Sequence, residues 1–399
     1  MAENTGKTKI VLAYSGGLDT SVILKWLINT YNADVIAYCS DVGQKEDLNA
    51  VREKAFKTGA AEVVIEDLRE EFALNYIFPA LRGNALYEGI YLLGTSIARP
   101  LIAKRQIELA AQTGAEYVAH GATGKGNDQV RFELAYAAVN SKIKVIAPWR
   151  IWDIASRTEL IDYASKNGIA VPVTKEKPYS SDRNLFHISY EGGILENLNN
   201  APDESMFEIT VSPANAPDKS EKVEISYENG NPVYLNGNKE TPFNIIEKLN
   251  IIAGRNGIGR ADVVETRITG MKSRGIYETP AGTLLQFTHR ALEAITLTGE
   301  EIELKDSLLP KYSKLIYEGS WFSPEFSALQ SMIDSTQKNV SGSIGVELYK
   351  GNIKILYRKS DKTLYSESIV TFEDDKGSYS QKDATGFINL KALRFKLRK

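Results

Sequence analysis

Residues Ala13-Tyr14-Ser15-Gly16-Gly17-Leu18-Asp19-Thr20-Ser21 constrain this chain more than any other stretch. The apolar, β-branched run at 9–12 before them has the pattern of a buried strand, and Val22, Ile23, Trp26 and Leu27 after them recur at helical spacing. A strand, a diglycine turn and a helix start therefore meet. Such a junction aims unpaired backbone N–H groups and the positive end of a helix dipole, about half a charge, at one point. Gly16 and Gly17 permit backbone angles and a close approach that a Cβ would block. Ser15, Thr20 and Ser21 add hydroxyl donors, so the stretch reads as a phosphate cradle. The plainer alternative is a Gly-Gly turn with Asp19 and Thr20 capping the next helix. Beside phosphates, Asp19 either serves as that cap or meets them through Mg²⁺.

A Walker loop needs Gly-x-x-x-x-Gly-Lys-Ser/Thr and a dinucleotide fingerprint needs Gly-x-Gly-x-x-Gly; this stretch is neither. Ser-Gly-Gly-x-Asp-Ser/Thr resembles the pyrophosphate loop of the ATP pyrophosphatases, which cleave ATP to AMP and pyrophosphate. Around it the chain alternates strand and helix. Further strands are expected at 34–38, 62–65, 117–120 and 144–147. Helices are expected at 48–57 closed by Gly59, at 72–81 interrupted by Pro79, at 97–113 ending at Gly114, and at 158–166. Such repetition predicts an α/β fold, a doubly wound parallel-sheet nucleotide-binding domain, with ligands beyond the carboxyl ends of its strands.

The length of 399 residues suits two domains with a small appendage. Two prolines among charges at 171–178 mark the boundary. We expect an ATP-binding domain over 1–170, an α+β second domain over 171–370 and a C-terminal helical arm over 371–399. The second domain is expected to hold short strands at 206–211, 223–227 and 232–235, with turns at Asn229-Gly230 and Asn236-Gly237. A helix follows at 242–253, then a largely helical 308–333 broken near Pro324, then a hairpin of 344–349 with 353–358. In the arm, Phe387, Leu390, Leu393 and Leu397 fall near helical spacing, which suits a helix docked on its own domain or on a neighbouring subunit.

The net charge of −3, with Lys and Arg dispersed among acids, gives no case for nucleic acid. No apolar run approaches the ~20 residues that span a membrane. Met1 to Lys7 is short and polar, unlike a secretory signal, and Cys39 is the only cysteine, so a cytoplasmic home is expected.

A second glycine-rich stretch runs from His120 through Gly121, Thr123, Gly124, Lys125 and Gly126 to Glu133. It also follows a strand and enters a helix. Asn127, Asp128 and Arg131 share one helical turn, offering an amide, a carboxylate and a guanidinium to a zwitterionic substrate. The alternative is a capped helix start with an ion pair between Asp128 and Arg131. Three further polar clusters, at 91–100, 178–193 and 265–280, read singly as loops or helix starts.

Together these stretches resemble the argininosuccinate synthase family, ATP-dependent ligases that join citrulline and aspartate. The likeness spans nearly the whole chain and rests on AYSGGLDTS, YLLGTS-ARP, HGATGKGNDQVRFE, the HISYE segment and GMKSRGIYETPAG. It implies ATP contacts from Ala13, Tyr14, Ser15, Gly16, Gly17, Leu18, Asp19, Thr20, Ser21, Ala37 and Gly121. It implies aspartate contacts from Thr123, Asn127 and Asp128. Citrulline contacts would come from Tyr91, Ser96, Asn127, Arg131, Ser180, Ser189, Glu265 and Tyr277. The resemblance also implies Mg²⁺ with ATP and a homotetramer whose arm reaches a neighbour. Asp19, Asp128 and Arg131 are the catalytic candidates. Asp128 and Glu191 are candidate bases for the aspartate amine, while His120 is assigned a structural role. The rival readings are an ammonia-dependent NAD synthetase and an adenine-nucleotide sensor without turnover.

Overall fold

The computed structural model describes residues 7–154, 156–170 and 179–398, so the expected boundary at 171–178 and the first six residues lie outside the described residues. The first half is a five-stranded parallel sheet of β1 (Lys9–Ala13), β2 (Asp34–Asp41), β3 (Glu62–Asp67), β4 (Tyr117–Ala119) and β5 (Lys144–Ile146) in the order β3-β2-β1-β4-β5. Ile10 and Leu12 pack into one apolar cluster and Val11 into another. Burial on both faces explains why this strand is continuously apolar rather than alternating.

The helices of this half are α1 (Leu18–Tyr31), α2 (Leu48–Thr58), α3 (Arg69–Phe72), α4 (Phe78–Arg82), α5 (Gly94–Thr113), α6 (Asp128–Val139) and α7 (Arg157–Lys166). Asp47 caps α2 by accepting from the Asn49 and Ala50 N–H groups, and Gly59, at φ 111°, ends it. The chain builds outward from β1 through β2 to β3, then returns to β1's other side with β4. That reversal opens a crevice at the carboxyl ends of β1 and β4, from which both glycine-rich loops leave.

Two expected helices differ. Pro79 does not interrupt its helix; the backbone widens into a π turn over Ala73–Ile77 just ahead of it, and Pro79 sits in the first turn of α4. Widening relieves the clash between a proline ring and the carbonyl one turn back. The helix expected at 97–113 begins at Gly94, so Thr95 and Ser96 lie inside it and no side chain caps it. The stretch from Leu68 to Leu101 also shares a core with the second half, including Ile245, Leu284, Tyr317 and Ile344.

The second half contains β6 (Ser180–Arg183), β7 (Ile188–Glu191), β8 (Glu221–Glu228), β9 (Asn231–Leu235), β10 (Asn238–Lys239), β11 (Arg260–Thr266), β12 (Lys272–Glu278), β13 (Gly342–Tyr349) and β14 (Asn352–Lys359). They form two antiparallel sheets, β11-β12-β7-β6 and β10-β9-β8-β13-β14. Between them run α8 (Pro242–Arg255), α9 (Pro280–Thr296), α10 (Gly299–Tyr317) and α11 (Pro324–Thr336). The Asn229-Gly230 and Asn236-Gly237 turns both have positive φ at each residue, as hairpin turns require.

Strands β11 and β12, expected as loop, pair in register from Arg260 opposite Glu278 to Thr266 opposite Lys272. The strand expected at 206–211 does not form. There, a buried carboxylate replaces strand pairing: Glu278 accepts from the N–H groups of Glu208 (2.9 Å), Ile209 (3.0 Å) and Thr210 (2.7 Å), and from the hydroxyls of Thr210 (2.6 Å) and Tyr190 (2.5 Å). The segment also lies so close to α8 that a Cβ on Gly254 would overlap the Ile209 carbonyl.

Helices α12 (Glu367–Val370) and α13 (Asp383–Lys396) end the described chain. Docking of the arm on its own domain is not seen: Phe387, Leu390 and Leu397 are 63%, 70% and 82% exposed. Among the described residues no helix is long and apolar enough to cross a membrane.

Replacing Glu278 with Ala would leave five donors, three of them in buried hydrogen bonds, without their shared acceptor. The variant is expected to lose about 3 kcal/mol or more of stability, read as a lowered thermal or urea midpoint.

Candidate functional site

The first loop leaves β1 with the Tyr14 N–H bonded to the Tyr38 carbonyl at 2.8 Å, which holds it at the level of the β2 carboxyl end. Gly16 lies at φ +75°, and a Cβ there would meet Val51 Cγ2 at 2.9 Å. Gly17 differs. Its backbone is ordinary at φ −66°, ψ 175°, and a Cβ would touch only Ser15 Oγ, at 3.4 Å. Gly16 is thus needed for the turn, whereas Gly17 keeps the mouth of the loop open.

The hydroxyls divide similarly. Ser21 is buried and donates to the Gly17 carbonyl at 2.7 Å, and Tyr14 hydrogen-bonds it at 3.0 Å, so both brace the turn from beneath. Thr20 Oγ1 meets Ser15 Oγ at 3.1 Å, and the exposed Ser15 faces the mouth. Lys54, on α2, donates to the Gly16 carbonyl at 2.7 Å and brings an ammonium group under the loop. Asp19 does not cap α1; it lies within the first turn, after the N-cap Gly17. Ala37 is fully buried inside β2, opposite Leu12, three residues before Ser40 near the strand's carboxyl end.

The second loop closes on the first. A Cβ on Gly121 would meet Thr20 Cγ2 at 3.1 Å. His120 is buried, hydrogen-bonds Glu133 at 3.1 Å and stacks on Phe132, the structural role expected of it. Thr123 is exposed on the loop. Asn127 does not cap α6 with its side chain. The expected pair of Asp128 with Arg131 is present at 2.9 Å, and a second guanidinium joins it: Arg99 donates to Asp128 at 2.8 Å and to Asp182 at 2.5 Å. Burial alone would raise the Asp128 carboxyl, but Arg99 and Arg131 hold it below the usual carboxylate range.

Strand alternation puts Ser180 and Asp182 of β6, Ser189 of β7, Tyr277 of β12 and Glu265 of β11 on one sheet face, with Ser189 directly opposite both Asp182 and Tyr277. Glu265 is buried and accepts from Tyr277 at 2.9 Å and from Tyr317 at 2.7 Å. Burial pushes its carboxyl up, and those two hydroxyls with Arg131 partly offset the rise. Tyr91 stacks on Tyr277, with ring centres 4.4 Å apart. Ser180 lies exposed at the sheet edge.

Five residues escaped the sequence reading as site members: Thr95, Arg99, Asp182, His187 and Tyr317. Thr95, Arg99 and His187 stand inside quoted motifs and Asp182 inside the cluster at 178–193, but only the fold shows Arg99 bridging two carboxylates. His187 is buried beside Tyr91 and Tyr277, and its Nε2 meets Thr95 Oγ1 at 3.0 Å. Burial and the nearby Arg99 and Arg131 lower its pKa to about 3, so the ring is neutral. His187 Nδ1 and Ser96 Oγ are buried without a hydrogen-bond partner. Tyr317 belongs to no motif, and nothing in the sequence signals it.

Two family models match this chain. One, described as the arginosuccinate synthase N-terminal HUP domain, covers residues 9–170; the other, the arginosuccinate synthase C-terminal domain, covers 179–398. A protein named argininosuccinate synthase from Desulfatibacillum aliphaticivorans is 59% identical over 389 residues, 98% of this chain and 97% of its own length. Proteins of the same name from Syntrophus aciditrophicus and Syntrophotalea carbinolica are 58% and 55% identical, over 99% and 100% of this chain and 98% of each relative.

The two loop glycines should respond differently to a methyl group. Gly16→Ala is expected to cost about 1–2 kcal/mol or more from its left-handed backbone, plus the Val51 clash. Gly17→Ala should leave the melting temperature within about 1 °C of the parent, since nothing in its backbone needs glycine. Thermal melts of the two variants check this.

Proposed function

The chain belongs to the argininosuccinate synthase family, and on that premise we propose how its residues join citrulline to aspartate. The protein is a carbon–nitrogen ligase that consumes ATP. The observation that carries the assignment of roles is the seating of Gly121 against Thr20, which puts both glycine-rich loops around one crevice. The rival NAD synthetase and nucleotide-sensor readings leave the second half, matched over 179–398, without a purpose.

A ureido carbon is a poor electrophile, so activation comes first. The ureido oxygen of citrulline attacks the α-phosphorus of ATP, giving a citrullyl-adenylate and pyrophosphate. The aspartate amine then attacks the activated carbon and AMP leaves. Residues Ala13 to Ser21, Ala37 and Gly121 hold ATP, with the open mouth at Gly17 taking the departing pyrophosphate.

Among the described residues no three carboxylate, imidazole or thiol side chains converge as a metal cage. Mg²⁺ would be carried on the phosphates, with Asp19, in the first turn of α1, as its protein carboxylate, and would supply charge neutralisation there.

Tyr91, Ser96, Asn127, Arg131, Ser180, Ser189, Glu265 and Tyr277 hold citrulline, and Glu265 suits its ammonium group. The unpaired Ser96 hydroxyl supports a polar occupant there. Thr123, Asn127 and Asp128 hold aspartate. Asp128, gripped by two guanidinium groups with its pKa held low, serves orientation and not proton removal. Glu191, bonded to Arg267 at 2.9 Å and 56% exposed at the side chain, is no better placed as a base. Catalysis then comes largely from orientation, worth up to about 7–11 kcal/mol in favourable cases.

The arm, with its apolar side chains exposed, packs on neighbouring subunits of a homotetramer, and the enzyme works in the cytoplasm.

Label placed in the ureido oxygen of citrulline should appear in AMP, measured by mass spectrometry after turnover with ¹⁸O-citrulline. Unlabelled AMP, or product formed with ammonia in place of aspartate, would refute this route. Removing residues 371–399 should convert the tetramer to a smaller species by light scattering; an unchanged mass would count against the arm's role.

A further inference from the structure

Tyr317 closes α10 and touches three of the residues assigned to the two amino-acid subsites. Its hydroxyl accepts from Asn127 Nδ2 at 2.9 Å and donates to Glu265 Oε1 at 2.7 Å. Its carbonyl accepts from Arg131 Nε at 2.9 Å. Its ring is stacked on Tyr87, with centres 3.7 Å apart and planes 4° from parallel, and the Arg131 guanidinium lies 4.9 Å from its centre. Two residues on, Gly319 at φ +84° comes so near that a Cβ would sit 2.7 Å from Arg131 Cα, so the end of α10 is fastened to α6.

We propose that Tyr317 is a positioning residue that couples the citrulline and aspartate subsites through its hydroxyl. The proposal rests on the subsite assignment above. A phenol has one proton to give. The Glu265 carboxylate takes it, which turns the oxygen's lone pairs toward Asn127. Asn127 must then present its NH₂ to Tyr317 and its Oδ1 to the Ile268 N–H, which donates at 3.1 Å. The way the Asn127 amide faces is therefore set by a carboxylate it does not touch. Were Glu265 neutral, the hydroxyl could turn and Asn127 would lose its fixed orientation toward aspartate.

The test is steady-state kinetics of Tyr317→Phe, Glu265→Gln and the double variant. The Phe variant keeps the ring, the stacking and the backbone carbonyl. It is expected to raise KM for both amino acids about tenfold or more, the scale of losing a hydrogen bond to a charged group, with kcat changed far less. Glu265→Gln should raise the aspartate KM in the parent but add nothing to it in the Phe background.

A pH profile gives a second readout. Glu265 is faced by Tyr277 on β12, Tyr317 on α10, Arg131 on α6, Glu191 on β7, and Tyr87 and Tyr91 ahead of α5. Removing the Tyr317 donor destabilises the carboxylate, so the acid limb of kcat/KM for citrulline should move to higher pH. An unmoved acid limb with an unchanged aspartate KM overturns the proposal. So does a fall in kcat that only follows a lowered melting temperature. If Tyr317→Phe does not fold, the aspartate KM of Glu265→Gln alone decides, and no rise overturns it. A Glu265→Gln variant whose citrulline KM is unchanged would instead refute the subsite assignment beneath it.

Discussion

Arg99 holds this site together, because its guanidinium is shared by Asp128 of the second loop and Asp182 of β6. One residue of α5 thereby ties the parallel sheet's loop to an antiparallel sheet built from the other half of the chain. Buried ion pairs of this kind add little net stability, since desolvation offsets attraction, yet removing one partner leaves an uncompensated charge. Their effect is on position. With Arg131 on its other oxygen, Asp128 is held in one place at the start of α6, and Asn127 beside it reaches across to Tyr317 and Ile268.

The nucleotide side shows the same economy of roles. Gly16 meets a conformational demand, Gly17 leaves room, Ser21 and Tyr14 brace, and Ser15 faces outward. A tight turn must satisfy its own carbonyls as well as any ligand, so its small and hydroxylated residues carry both duties. In the second half, stacked tyrosines and buried hydroxyls replace loop backbone. Tyr87, Tyr91, Tyr277 and Tyr317 pack ring against ring, and two of them hydrogen-bond the buried carboxylate of Glu265.

Local patterns made much of this legible. Apolar runs, four of them with a glycine close by, mark the five parallel strands, and Asn-Gly pairs mark the hairpins. They did so because burial on both sheet faces and positive φ in a two-residue turn leave a direct imprint on residue type. Strands β11 and β12 left no such imprint: Arg260, Asp262, Lys272 and Arg274 place charges on them, and their alternation was masked. The error at 206–211 has the opposite cause. An apolar, β-rich segment looks like a strand, but the carboxylate of Glu278, distant in sequence, takes its N–H groups.

By itself, then, the order of residues determined the parallel sheet, the two glycine-rich loops and, through five separated motifs, the family. Those features depend on neighbours along the chain, where spacing alone carries the physics. Tertiary structure alone decided which polar groups meet: Arg99 with two carboxylates, Tyr317 between Asn127 and Glu265, and an arm left with its apolar side chains exposed. Such pairings join residues up to nearly two hundred positions apart, such as Asn127 and Tyr317, and no local propensity encodes a contact that only folding brings together.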